Sequence, residues 1–231
     1  FRPLFGEYPF INEKYGLYNF PFGGGMEHQT ITGQSGFGES LTSHELAHQW
    51  WGDAITCETW SDIWLNEGFA TYGECLWEEY KTGVQNVSAY LAAIVSRKPS
   101  SVGDSVYVPA AQTSDVGRIF SSTYSYRKGA WVLHQLRHVV GETTFFQILA
   151  DYRAVYEGSA ATTDDFAAVA SATYGQDLTW FFDEWVWGMN RPIYQYSWLD
   201  QDIGGGQYEL FVHIDQVQGS PAPEIFTMPI K

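Results

Sequence analysis

At 231 residues the chain has room for one good-sized domain, with or without part of a second, and a composition 45% hydrophobic and 17% aromatic excludes a disordered or low-complexity protein. The 12 Lys and Arg against 27 Asp and Glu leave a formal net charge of −15, a field that repels phosphate backbones and anionic headgroups, so nucleic acid is not an expected partner. No run reaches the ~18 apolar residues of a membrane-spanning helix, and the opening Phe1-Arg2-Pro3-Leu4-Phe5-Gly6 lacks the basic-then-apolar layout of a signal peptide.

Residues 1 to 34, rich in aromatics, Gly and Pro, read as short extended pieces joined by turns. From about residue 38 the texture becomes helical, with helices expected over 39–52, 61–81, 86–97, 124–140, 143–157, 163–174 and 177–187. Thr163, Asp164 and Asp165 supply capping oxygens before one of them, and Gly83, Gly141, Gly158 and Gly175 sit where helices should stop. In 124–140, Ala130, Leu133, Leu136 and Val140 recur at three- and four-residue steps and form one apolar stripe for a core. Gly188-Met189-Asn190-Arg191-Pro192 closes the helical region. Tyr194 to Trp198 and Tyr208 to Ile214 then alternate apolar and polar residues around Gly204, Gly205 and Gly206, a hairpin pattern. Cys57 and Cys75 are too few for a disulfide framework; they could bridge or stay free, and two half-buried thiols are the plainer expectation.

The segment that carries chemistry is His44-Glu45-Leu46-Ala47-His48. On a helix of 3.6 residues per turn, side chains four apart share a face, so the two imidazoles converge on one point with Glu45 beside them. After 18 intervening residues, Glu67 enters in Asn66-Glu67-Gly68-Phe69-Ala70. Two His and one carboxylate leave a tetrahedral zinc with its fourth position open, the pattern of a catalytic rather than a structural site. Zinc polarises a carbonyl and brings the pKa of a water near 7, and Glu45 is placed to move that water's proton to a leaving amine, which together amount to amide hydrolysis.

His44 to Asp53 (His-Glu-Leu-Ala-His-Gln-Trp-Trp-Gly-Asp) and Trp64 to Tyr72 (Trp-Leu-Asn-Glu-Gly-Phe-Ala-Thr-Tyr) closely resemble the aminopeptidase N type of zinc metallopeptidase, a family that also includes leukotriene hydrolase. Two further segments extend the likeness: Gly24-Gly25-Met26-Glu27-His28 resembles the family's exopeptidase motif Gly-x-Met-Glu-Asn, and Tyr126-Arg127-Lys128-Gly129-Ala130 resembles the segment bearing its catalytic tyrosine. The resemblance spans roughly residues 8 to 200. It implies an α+β, thermolysin-like catalytic domain with a small mixed sheet, a mostly helical lobe and the active site in the cleft between them. That domain is expected over 1–190, with 1–37 as strands and loops and 38–190 mostly helical, followed over 191–231 by the beginning of a β domain. It further implies an amino-terminal β domain before residue 1 and more domains after residue 231.

By the same resemblance one Zn2+ is held by His44, His48 and Glu67, Glu45 is general base and then acid, and Tyr126 donates to the oxyanion. Gly24, Gly25, Met26 and Glu27 form the substrate-binding strand, with Glu27 pairing the α-ammonium of a peptide with a free amino terminus. Tyr124 competes with Tyr126 for the oxyanion role, and the spacing to Lys128 and Gly129 selects Tyr126. His28 stands where the family usually has Asn, as a hydrogen-bonding surrogate or a third histidine near the metal. Asp53 or Asp62 is expected to hold the second nitrogen of a ligand histidine. Trp50, Trp51, Trp60 and Trp64 are expected in the core or a pocket wall. His134 and His138 repeat the four-residue spacing with no acid between them and are not expected to hold a metal, and His213 is expected to be exposed. The rival readings are an endopeptidase, against which the Gly-x-Met-Glu segment weighs, an epoxide hydrolase on the same zinc, and a catalytically inactive interaction scaffold, against which the intact ligands and base weigh.

Overall fold

The computed structural model describes residues 1–99 and 103–229. A short helix, α1 (Arg2–Phe5), leads into a three-stranded mixed sheet of β1 (Gly16–Asn19), β2 (Gly25–Met26) and β3 (Ile31–Gln34), ordered β1-β3-β2. In it β1 runs parallel and β2 antiparallel to the central β3. Next come α2 (Glu39–His48), β4 (Ile55–Cys57), α3 (Trp64–Tyr80), α4 (Val87–Ser96) and α5 (Val116–Ile119). The second half of the lobe is α6 (Gly129–Val140), α7 (Glu142–Tyr156), β5 (Ser159–Ala161), α8 (Thr163–Tyr174) and α9 (Thr179–Phe182), and β6 (Tyr194–Gly204) and β7 (Gln207–Gln216) form an antiparallel hairpin. Small sheet, helical lobe and hairpin stand where the sequence places them.

Helix α3 is the axis of the lobe. Its Trp64, Phe69, Tyr72 and Leu76 are all but fully buried, which follows from its apolar residues recurring around the helix rather than along one narrow stripe. Gly68 on α3 and Gly129 at the start of α6 let the two backbones touch: a Cβ on Gly68 would lie 2.9 Å from the Gly129 Cα. The apolar stripe of α6 is buried as expected. Arg137 on its polar side reaches Glu79 of α3 through two hydrogen bonds of 2.8 and 2.9 Å in a buried ion pair. Fully desolvated, that pair is satisfied only because both guanidinium arms are engaged.

Helix ends follow local chemistry. All four predicted stop glycines adopt positive φ: Gly83 at 80°, Gly141 at 84°, Gly158 at 83° and Gly175 at 76°. The cap of α8 begins one residue before the expected Thr163: Thr162 and Asp165 form a reciprocal capping box.

Several expectations are corrected. Helix α2 ends at His48 instead of 52, because the amides of Gln49 and Trp50 tighten to bonds three residues back, that of Asp53 bonds five back (to His48 O, 3.0 Å), and Gly52 at φ 141° turns the chain into β4. The expected 124–140 helix divides into a wide π-helical segment, Ser122–Lys128, and α6, and the 177–187 helix divides likewise into α9 and a π segment, Asp183–Trp187. The pairing of β4 with β5, parallel and three residues long, escapes a search for alternation because three residues carry no period. Neither α1 nor α5, four residues each, is long enough to show a helical stripe.

Candidate metal centre and active-site cleft

On α2, His44 and His48 point their Nε2 atoms at one another across 3.1 Å, and Glu67 Oε2 on α3 lies 3.3 Å from each. Each ring's other nitrogen has an acceptor: Nδ1 of His48 faces the Trp51 carbonyl and Nδ1 of His44 faces Glu74 Oε1, both at 3.0 Å. An Nδ1 facing an acceptor carries the ring proton, so both Nε2 atoms of the neutral rings present lone pairs to a carboxylate oxygen. With both rings neutral, three buried acceptors would face one point, an arrangement that a bound cation or ring protons relieve. A tetrahedral zinc with bonds of about 2.0–2.1 Å needs ligand atoms roughly 3.3 Å apart, so the donor set fits that metal in type and spacing.

Charge in the cluster follows the same logic. Burial works against ionised imidazoles, yet the carboxylates of Glu67 and Glu74 outweigh it and hold His44 up at about 10; His48 is raised as well, by Glu67. Glu67, in turn, is desolvated but held far below the usual carboxylate range by the two histidines. A bound cation would take over from those protons.

The residues behind the histidines differ from expectation. Asp53 instead accepts from Gln49 Nε2 at 2.7 Å, and Asp62 accepts from the Thr163 backbone amide and hydroxyl at the start of α8. The partner of His44 is Glu74, which also accepts from Ser40 and Arg97. Glu74 lies seven residues after Glu67, two turns along the same face of α3, so helical spacing could have found it. The Trp51 carbonyl carries no sequence signal, because any residue offers one.

Glu45 is buried, its Oε2 has no hydrogen-bond partner among the described residues, and burial pushes its carboxyl up to about 7, with the histidines opposing and Glu27 and Glu67 adding to the rise. Directly above it, β2 passes so closely that a Cβ on Gly25 would overlap the Glu45 carboxylate. Glycine is therefore required there for lack of space, its φ being ordinary. An oxygen of half-buried Glu27 lies within 4.8 Å of ligand atoms of Glu45 and His48, so β2 brings a second carboxylate to the edge of the cluster. Gly24 lies at φ 86° just before β2.

The π-helical segment carries Tyr126, whose ring stacks on His44 at 5.9 Å with planes 10° apart. Burial, followed by the nearby Glu67 carboxylate, pushes the phenol far above its ordinary value, so it stays protonated as a donor. The extra residue per turn of a π-helix re-aims side chains, a device frequent at functional sites. Tyr124 points elsewhere, its ring under the Arg118 guanidinium at 5.3 Å.

Two cavities meet at this point. One, about 480 Å³, is lined by Gly24, Gly25, Glu27, Leu41, Glu45, Glu74 and the three candidate ligands; a second, about 550 Å³, lies between Met26, Cys57, Trp60, Ile63 and Phe120, and both share Gly25, Glu27, Glu67 and Tyr126. Trp60 is thus a pocket wall, edge-on to Phe120 at 6.0 Å, whereas Trp50, Trp51 and Trp64 are core. His28 is exposed and belongs to neither candidate metal group among the described residues. Cys57 and Cys75 are free thiols, and His213 is exposed. Among the described residues no helix is long and apolar enough to cross a membrane.

Fold and site together define a thermolysin-like α+β domain with a candidate zinc centre. Residues 26–185 match the model of the peptidase family M1 domain, and the chain belongs to that family. Over 175 residues it is 29% identical to Aminopeptidase 2 of Candida albicans, covering 74% of this chain and 18% of that protein. Over 200 residues it is 31% identical to Aminopeptidase M1-B of Oryza sativa subsp. japonica, covering 81% and 21%. The crystal structure of an M1 zinc metallopeptidase from Deinococcus radiodurans superposes with a TM-score of 0.70 at 32% identity, over 83% of this chain and 42% of that one. The chain spans about a fifth of the length of the curated relatives it matches.

Proposed function

We propose that this chain is the catalytic region of a zinc-dependent aminopeptidase, which removes residues from the free amino end of peptides. The observation that carries the reading is the convergence of two Nε2 lone pairs and one carboxylate oxygen, 3.1–3.3 Å apart, beside a buried and unpartnered carboxylate oxygen of Glu45. His44, His48 and Glu67 would hold zinc, which when bound supplies a Lewis acid that polarises the scissile carbonyl and acidifies a water. Glu45 takes that water's proton and returns it to the leaving amine. Tyr126, kept protonated by its surroundings, donates to the oxygen on which charge develops. Glu27 receives the substrate's α-ammonium, and a blocked or internal amide would leave this carboxylate desolvated without a partner.

The cavity beside Glu27, walled by Met26, Trp60, Ile63 and Phe120 together with polar Thr59 and Asn66, is large enough for a bulky first side chain. The related Deinococcus radiodurans enzyme has been solved with a Tyr-Ser-Ala substrate, at 30% identity and a TM-score of 0.70 over 83% of this chain and 43% of that one, and a related two-domain M1 zinc metallopeptidase with L-arginine, so large side chains of either polarity are carried by these relatives. Within this reading residues 1–190 are the catalytic domain, and residues 191–231 begin a β domain. The test is hydrolysis of a leucine or phenylalanine anilide and of its N-acetyl twin by the full-length protein, with and without chelator. Free-amine substrate should be cleaved, chelator should abolish turnover and one equivalent of zinc should restore it. Equal cleavage of both substrates, or anomalous zinc density away from His44, His48 and Glu67, would overturn the assignment.

A further inference from the structure

Gln49, the residue after His48, is fully buried and uses every hydrogen-bonding position of its amide. Its Nε2 donates to Asp53 Oδ2 at 2.7 Å and to the Glu27 carbonyl at 3.3 Å, and its Oε1 accepts from the Tyr8 hydroxyl at 3.0 Å and the Thr30 backbone amide at 2.9 Å. The Asp53 carboxylate accepts from the NH2 side and the Thr30 backbone amide can only donate to the oxygen, so the amide has one way to face. Two of the four bonds grip a single turn at its ends, Glu27 and Thr30, and a 3.0 Å bond from the Ile31 amide to the His28 carbonyl closes that turn from within. Thr30 stands at φ 62°, a region that β-branched residues rarely adopt and that persists only where the surroundings over-determine it.

We propose that Gln49 is a positioning residue for amine recognition: by clamping the Glu27–Thr30 turn to the end of the helix bearing His44 and His48, it sets where Glu27 stands relative to the metal centre. The proposal rests on the reading that Glu27 receives the α-ammonium. Without the clamp, the strained turn relaxes and Glu27 moves with it, while the His44, His48 and Glu67 triangle keeps its own acceptors behind it. Misplacement by about 1 Å is enough to cost on the order of 10²-fold where a fixed geometry is being read.

The experiment uses zinc-loaded full-length enzyme carrying Gln49→Leu. Its readouts are kcat and KM for a leucine anilide and its N-acetyl twin, and calorimetric binding of leucine amide. KM and the dissociation constant should rise roughly 10–100-fold with kcat within about threefold of the parent, and the preference for the free amine should fall by a similar factor. Adding Thr30→Gly, which accepts positive φ without strain, should recover part of the loss. If Gln49→Leu does not fold, Gln49→Glu with Asp53→Asn carries the test: it keeps bonds to Tyr8, Thr30 and residue 53 and exchanges the donation to the Glu27 carbonyl for a repulsive oxygen–oxygen contact, and it too should show raised KM. A folded variant with parental KM and amine preference, or with reduced kcat at unchanged KM, overturns the proposal. Glu27→Ala separates the two ideas. Should it leave the amine preference intact, the role of Glu27 falls; should it abolish the preference while the Gln49 variants keep it, only the clamp falls.

Discussion

Helices α2 and α6 each carry two histidines four residues apart, written His44-Glu-Leu-Ala-His48 in one and His134-Gln-Leu-Arg-His138 in the other. In α2 both rings present Nε2 to a third ligand while a carboxylate and a carbonyl hold their far nitrogens. In α6, His134 Nδ1 meets the Tyr90 hydroxyl at 2.7 Å and His138 Nε2 meets the Pro229 carbonyl at 3.2 Å. Neither belongs to a candidate metal group among the described residues. Equal spacing with unequal outcome shows that the period only makes convergence available. A facing carboxylate from a second helix, and an acceptor behind each ring, are what set the candidate metal centre of α2 apart.

The largest contrast should come from removing one histidine of each pair. His48→Ala should abolish stoichiometric zinc and with it activity, whereas His138→Ala should keep one zinc per chain, both read by metal analysis after exhaustive dialysis; a lost equivalent in the second variant would make the pairs alike. Next in size, Glu45→Gln gives α2 the same His-Gln pattern as α6. It should keep its zinc and lose turnover by roughly 10²–10⁴-fold, because an amide cannot accept the proton. Unchanged metal content with near-parental turnover would remove Glu45 from the chemistry.

Tyr126→Phe should lower kcat by roughly 10²–10³-fold with little change in KM, the range for loss of one oxyanion donor. If Tyr124→Phe did so instead, the π-helical segment would be presenting the other ring. Glu74→Gln brings the first pair closer to the second by weakening the acceptor behind His44. Zinc affinity, measured by chelator competition, should drop about 10–100-fold while His44 remains a ligand; parental affinity would leave Glu74 a purely structural partner.

The smallest effect concerns the second pair and pH. Burial, with minor help from His138 and Arg137, pushes His134 down to about 4. Its folded value lies below its unfolded value near 6.5, so the stability tied to its neutral form is fully present above about pH 6.5 and is lost as pH falls toward 4, up to about 3 kcal/mol. The stability difference between parent and His134→Gln should therefore shrink over that window in urea titrations, and a constant difference would mean that His134 does not titrate there.

Much of this site was legible because its parts are local or periodic. A helix obliges residues 44 and 48 to share a face, and the spacing to Glu67 placed it early in the next long helix. The stop glycines and the stripe of α6 follow equally from short-range sterics and the 3.6-residue period. Tertiary structure alone decided the rest. It chose the Trp51 carbonyl over Asp53 and Asp62, picked Glu74 out of the acids that helical spacing makes available, and brought β2 down onto Glu45 at Gly25. A π-helical turn aims Tyr126 rather than Tyr124, and the histidines of α6 were spent on hydrogen bonds. Most of these depend on which atoms meet across elements distant in the chain, while the Trp51 carbonyl, three residues from His48, and a widened helical turn leave no mark in the order of side chains.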